Sequence, residues 1–157
     1  MNRKVKNATQ KTYNGIKFKS LSEIIVYKTL SSEGFDPKYE EKTFVIWDGF
    51  IPHIPFYTKN DFKRKNHNIE VISEKLVRDN RPLSSITYTP DFIFNYNDKT
   101  IIVEVKGFEN DVYPYKMKLF RRMLELEGND SNYEIWEIFS KSQLLNCIEL
   151  LKSDNNE

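Results

Sequence analysis

Apolar positions along the chain follow two rhythms. Between Ser20 and Gly34, Ile24, Val26, Tyr27 and Leu30 fall on one arc of a helix. Ser20-Leu21-Ser22-Glu23 has capping-box spacing at its start, and Gly34 suits a C-terminal stop. Elsewhere the apolar residues run together, as strands do. Lys38 to Trp47 contains the run Thr43-Phe44-Val45-Ile46-Trp47, closed by Asp48-Gly49. Ile86 to Tyr96 and Lys99 to Gly107 predict two strands joined by the tight turn Asn97-Asp98. A helix follows over Tyr113 to Glu127, with Gly128-Asn129-Asp130 as its exit, and then a strand over Tyr133 to Phe139. Ser140-Lys141-Ser142-Gln143 is a second capping box, opening a last helix that runs to about Lys152. Residues 48–85, punctuated by Pro52, Pro55 and Pro82, carry the weakest pattern and are expected to be a long connection.

The order α, β, long connection, β, β, α, β, α predicts an α/β fold: a mixed β-sheet flanked by helices. The last strand follows its neighbour through a helical crossover, so the two should be parallel. A length of 157 residues suits one domain over 20–157, preceded by a basic arm over 1–19 with a turn at Asn14-Gly15. With 39% hydrophobic and 14% aromatic residues, the chain is too rich in core formers to be disordered. It contains no run of about 18 apolar residues, so no membrane partner is expected. The basic start lacks an apolar stretch behind it and is not read as a secretory signal. Cys147 is the single cysteine, which fits a reducing cytoplasm, and with only His53 and His67 the chain cannot supply Cys- or His-based zinc clusters.

The formal net charge of +1 hides an uneven distribution. Residues 1–22 hold Arg3, Lys4, Lys6, Lys11, Lys17 and Lys19 with no acid, whereas residues 123–157 hold eight acids against Lys141 and Lys152.

The chemistry concentrates where the two predicted strands meet. If Asn97-Asp98 is the turn, Tyr96 pairs with Lys99 and Asp91 faces Glu104, with Cβ atoms about 4.5–5.5 Å apart. Like charges so placed are destabilising unless a cation lies between them. Lys106 projects from the same strand face as Glu104. Two carboxylates and a lysine make an oxygen-lined pocket suited to Mg²⁺, with Mn²⁺ able to substitute. Such a metal activates water and stabilises charge on a phosphate oxygen, and the lysine positions the water or neutralises that charge. Glu-Val-Lys alone is ordinary surface alternation. Here, however, it ends the apolar run Ile101-Ile102-Val103, where charge is costly unless paired or functional. Glu23 lies near the centre of the apolar arc of the first helix. Its bland role is to complete the capping box; beside the Asp91, Glu104 and Lys106 set it becomes a candidate active-site acid.

A helix-borne Glu, then Pro-Asp on one strand and Glu-x-Lys on the next, resembles the PD-(D/E)xK nuclease superfamily, as does the α-β-β-β-α-β order. The chain is more closely similar to small phage-encoded endonucleases of the phage endonuclease I type of Holliday-junction resolvase. The stretches that carry this likeness are Gly15-Ile16-Lys17-Phe18-Lys19-Ser20-Leu21-Ser22-Glu23, Tyr88-Thr89-Pro90-Asp91-Phe92 and Val103-Glu104-Val105-Lys106-Gly107. The resemblance implies a restriction-endonuclease-like core with a C-terminal helix added. It further implies that Asp91 and Glu104 bind Mg²⁺ with the Val105 carbonyl, that Lys106 orients the nucleophilic water, and that Glu23 completes the metal shell. A phage origin would place the protein in the cytoplasm of an infected bacterial host. The long connection at 48–85 departs from the minimal core.

A nuclease holds a polyanion beside an acidic site, so basic residues should rim it. The candidates are Arg3, Lys4, Lys6, Lys11, Lys17 and Lys19, then Lys63, Arg64 and Lys65, and on the helix after the motif Lys116, Lys118, Arg121 and Arg122. His67-Asn68 has no second histidine at the spacing of a His-Asn-His nuclease. The sequence therefore predicts a Mg²⁺-dependent DNA endonuclease acting on branched or structured DNA. Cutting both strands of a junction calls for two sites, hence a homodimer. The rival readings are a duplex endonuclease of restriction or transposon-end type and a non-catalytic DNA-binding phage protein on a nuclease scaffold.

Overall fold

In the computed structural model, the described residues are 10–59, 63–65, 68–70, 76–107, 112–128 and 132–153. Two compact units form: Met1–Ile46 with Thr87–Glu157, and Trp47–Ile86.

The first unit opens with a hairpin, β1 (Lys11–Tyr13) against β2 (Ile16–Phe18). Its turn places Asn14 and Gly15 at φ of 49° and 78°, the left-handed pair that matches the twist of the flanking strands. Residues 11–18, expected within a basic arm, are therefore folded, and Phe18 is fully buried. Arg3, Lys4 and Lys6 lie outside the described residues. Helix α1 (Leu21–Ser32) starts where the capping box predicts, with the Ser20 hydroxyl accepting from the Glu23 N–H at 3.2 Å. It ends with Gly34 at φ 90° and the Phe35 N–H on the Leu30 carbonyl at 3.1 Å.

The run Thr43–Trp47 forms β4 (Phe44–Trp47), and a shorter strand β3 (Lys38–Tyr39) precedes it, the two parted at Glu40, whose φ of 46° cannot continue a strand. One expected strand is broken in two. Ile86 to Tyr96 becomes β9 (Ile86–Tyr88) and β10 (Phe92–Tyr96), parted at Thr89-Pro90-Asp91. Pro90 has no N–H to give a ladder. The halves join different sheets: β3 pairs with β10, and β4 with β9.

The central sheet has the order β12-β11-β10-β3, with β11 spanning Lys99–Val105 and β12 Tyr133–Ile138. β10 and β11 are antiparallel in the register from Tyr96↔Lys99 to Phe92↔Val103, as the turn predicts. β11 and β12 are parallel, linked by α2 (Tyr113–Leu126), and the chain then enters α3 (Lys141–Ser153). One core cluster joins α1, α3 and one face of the sheet through Leu30, Phe92, Ile101, Val103 and Leu144, all fully buried. Each such side chain contributes about 1.5–3 kcal/mol. By strand alternation Ile102, Glu104 and Lys106 turn to the opposite face, where α2 begins. The fold is mixed α/β. Among the described residues, no helix is long and apolar enough to cross a membrane.

The segment expected as a long connection builds its own β-structure. In the second unit β5 (Tyr57–Lys59) pairs with β8 (Leu76–Arg78), and β6 (Lys63–Lys65) with β7 (Asn68–Glu70). Phe50 and Leu83 exchange backbone hydrogen bonds at 3.0 and 2.8 Å. Gly49 permits this closure: a Cβ there would lie 2.5 Å from the Leu83 carbonyl oxygen and 2.8 Å from the Ser85 nitrogen. Gly49→Ala should cost this unit roughly 1–3 kcal/mol. Limited proteolysis would show it as earlier cleavage within residues 47–86; an unchanged cleavage rate would contradict the close approach.

Candidate active site

The chain ends of the two central antiparallel strands place the acidic residues. The register puts Asp91, one residue before β10, opposite Glu104, the penultimate residue of β11. Lys106 follows β11 immediately, and its N–H still bonds to the Ile138 carbonyl at 2.8 Å. The break at Pro90 frees Asp91 from the ladder, so its carboxylate turns back to accept the Val105 N–H at 2.7 Å. Val105 thus takes part in the site through its N–H.

Glu104 is held at both oxygens. Tyr88 Oη donates to Oε2 at 2.7 Å and Lys106 Nζ donates to Oε1 at 2.7 Å. Only 8% of the Lys106 side chain and 13% of the Glu104 side chain remain exposed. The Lys106 ammonium also sits 2.9 Å from the ring centroid of Tyr113, the first residue of α2. Tyr113 Oη in turn donates to Glu137 Oε1 at 2.5 Å.

Glu23 is buried at 7% exposure, as its place in the apolar arc implies. Its Oε1 accepts from Ser20 Oγ at 2.9 Å, while its Oε2 accepts from the Lys19 N–H at 2.9 Å and from Tyr39 Oη at 2.7 Å. The reach-back of the capping box goes one residue further than the usual pattern, to the residue before the cap. Gln143 behaves alike on α3, accepting from the Phe139 N–H at 2.8 Å.

The three acids interact electrostatically at Asp91. Burial pushes its carboxyl up to about 7, Glu104 and Glu23 add repulsion, and the Val105 N–H and Lys106 oppose the rise. The cluster therefore carries more negative charge than Lys106 balances. Buried carboxylate oxygens carrying surplus charge are the donor type that a hard divalent cation takes. Among the described residues, however, no three His, Cys, Asp or Glu side chains approach closely enough to hold a metal together. Glu23 and Glu104 each have both oxygens bonded to protein donors.

The basic candidates are more scattered. Lys19 pairs with Glu40, which raises its ammonium above the ordinary lysine value. Lys116 Nζ donates to the Thr87 carbonyl at 3.0 Å. Lys11, Lys17, Lys118, Arg121 and Arg122 are exposed. Lys63, Arg64 and Lys65 form β6, but their side chains fall outside the described set.

Sequence reasoning missed the three tyrosines. Tyr88 lies in the stretch Tyr88-Thr89-Pro90-Asp91-Phe92, yet nothing in that spacing tells that its hydroxyl reaches Glu104 across the strand break. Tyr39 and Tyr113 reach the cluster through tertiary packing alone. Comparison with protein-family models, curated proteins and solved structures finds no match.

Proposed function

We propose that the chain is a Mg²⁺-dependent DNA endonuclease on a restriction-endonuclease-like core, cutting branched or structured DNA as a homodimer. The observation that carries this reading is the meeting of Asp91 and Glu104 at the ends of two central strands, with Lys106 on Glu104 and Asp91 lifted to about 7. A bare scaffold gains nothing from a repelled, buried carboxylate.

Asp91 and Glu104 would hold the metal, helped by Glu23. A bound divalent cation supplies an activated water and charge neutralisation at a phosphate oxygen. Lys106 Nζ, which donates to Glu104, would orient the attacking water or neutralise charge growing on the phosphate. Lys11, Lys17, Lys118, Arg121 and Arg122 are available for phosphate contacts, each of which would steepen the salt dependence of binding.

The test is cleavage of a four-way junction and a matched linear duplex with Mg²⁺ or Mn²⁺. The junction should be cut faster. Equal cutting of both would replace the junction reading with a duplex endonuclease. Binding of DNA without cutting under either metal would favour a non-catalytic DNA-binding protein, the reading that the fully bonded Glu23 and Glu104 carboxylates support.

A further inference from the structure

We propose that the two-stranded ribbon β5–β8 of the second unit is a DNA-contact element, in which the cross-strand neighbours Arg78 and Tyr57 reach the phosphate backbone. The inference rests on the nuclease reading for DNA as the polyanion, and it involves no metal.

The ribbon is open at its edges and on both faces. β5 pairs with β8 alone and β6 with β7 alone, so no third strand covers an edge among the described residues. The register runs from Tyr57↔Arg78 to Lys59↔Leu76, and the Asp79 N–H extends it to the Phe56 carbonyl at 2.8 Å. Strand alternation sets Tyr57, Leu76 and Arg78 on one face, and Phe56 and Val77 on the other. Both faces meet solvent: Tyr57 and Leu76 are 58% and 63% exposed, and Phe56 and Val77 are 60% and 38% exposed. Apolar groups divided between two open faces make no single patch for a protein partner. The charge is better matched to a polyanion. Across the four strands Lys59, Lys63, Arg64, Lys65 and Arg78 stand against the one acid Glu70. Two strands about 4.8 Å apart also make a ribbon narrow enough for the DNA major groove, which is about 12 Å wide.

Arg78 and Tyr57 carry the contact. They pair directly across the ribbon, so their side chains leave it side by side. Arg78 is exposed and makes no ion pair among the described residues. Arg81 contrasts with it, since its Nε and Nη2 both donate to the Asp79 carboxylate, at 2.9 and 2.7 Å. The Tyr57 hydroxyl has no hydrogen-bond partner among the described residues, and its ring stacks on no other aromatic there. A guanidinium and a phenol so placed are both ordinary donors to phosphate oxygens. Basic residues on an open strand edge also deter pairing between sheets, and the experiment separates that role from DNA contact.

The experiment measures binding of a labelled four-way junction and a linear duplex by fluorescence anisotropy, in EDTA, over about 50–200 mM KCl. It compares the full-length parent with Arg78→Gln, Arg78→Lys and Tyr57→Phe proteins, limited proteolysis within residues 47–86 verifying that the unit stays folded. Arg78→Gln should weaken binding of both DNAs about tenfold at the lowest salt and reduce the slope of log K against log [KCl] by about 0.9, the loss of one phosphate contact. Arg78→Lys should keep the slope, because the charge remains. Tyr57→Phe should weaken binding by about 2–10-fold with the slope unchanged, since a neutral donor displaces no counterion. Parent-like affinity and slope in Arg78→Gln would overturn the proposal, reducing the ribbon's charge to protection of an open edge while the nuclease reading stands. Parent-like DNA binding with an altered sedimentation coefficient would assign the ribbon to a contact between copies of the chain, again overturning it. Failure of the parent to bind either DNA would overturn it too, and cleavage with Mg²⁺ judges the nuclease reading separately. Ribbon-dependent binding without cleavage under Mg²⁺ or Mn²⁺ would uphold the proposal and overturn the nuclease reading. If Arg78→Gln unfolds the unit, Tyr57→Phe carries the test, and parent-like affinity there overturns the proposal.

Discussion

Asp91→Asn should make the protein more stable at pH 8 and, in the nuclease reading, abolish metal-dependent cleavage. The two effects have one origin. Asp91 is held at about 7 in the fold, against an ordinary value of 3.8, first by burial and then by Glu104, with Glu23 adding to it. Between those values the folded protein binds a proton that the unfolded chain has released. Stability contributed through this group is therefore greatest below about pH 4 and declines as pH rises toward 7. Above about 7 the penalty is complete, on the order of 4 kcal/mol. Asparagine can still accept the Val105 N–H but never ionises. Urea unfolding of the parent and Asp91→Asn proteins should converge near pH 4 and separate steadily up to pH 8, the variant being the more stable. For a chain of this size the gap corresponds to a rise of roughly 5–15 °C in Tm. In the nuclease reading, Mg²⁺ should narrow the gap by stabilising the parent alone. Parallel pH profiles would mean that Asp91 is not destabilised as described. Cleavage by Asp91→Asn at the parent's rate would remove it from the active site.

Much of this site was legible in the sequence because it depends on local periodicity. The turn Asn97-Asp98 defines the β10–β11 register, and the register alone brings Asp91 opposite Glu104. The capping spacing starts α1 correctly and buries Glu23. The strand breaks were less accessible. Glu40 adopts a left-handed conformation that its residue type does not announce, and its N–H bonds to the Asp91 carbonyl at 3.0 Å, a contact that exists only after β3 docks on β10. Pro90 was visible as a breaker, but that it frees the Asp91 carboxylate to reach the Val105 N–H was not. Residues 47–86 failed for another reason. Their strands are three residues long, too short for alternation to declare itself between prolines. Hydroxyl partners such as Tyr39 and Tyr88 sit 16 residues from the glutamates they hold, a separation that no periodicity encodes.

These features together explain why the surplus negative charge is tolerated. The Glu23 and Glu104 charges are met by donors from four segments, while Asp91 alone takes up the remaining repulsion. Lys106 is the one cation hydrogen-bonded directly to the cluster's carboxylates among the described residues, and its removal is the most direct way to unbalance it.

Lys106→Ala should therefore be costly to stability as well as to activity. The ion pair with Glu104 is almost wholly buried, at 8% and 13% exposure, so deletion of the ammonium leaves a carboxylate facing Asp91 without its counter-charge. Breaking such a pair from one side costs roughly 3–5 kcal/mol, and the ammonium's seat over the Tyr113 ring is lost too. The loss should depend on pH. Lys106 opposes the rise at Asp91, so without it that carboxyl moves higher still and takes up a proton at a more alkaline pH. Destabilisation measured by urea unfolding should be large at pH 8 and shrink towards pH 5. Cleavage, in the nuclease reading, should fall by about 10²–10⁴-fold, the usual contribution of a positioned proton donor or acceptor. Stability and chemistry can then be separated by a second change. Adding Glu104→Gln to Lys106→Ala removes the orphaned charge and should recover most of the lost stability, yet restore no cleavage. Recovery of cleavage in the double variant would show that Lys106 serves only to balance Glu104. Parent-like stability of the single variant at pH 8 would show that the pair is not buried in solution.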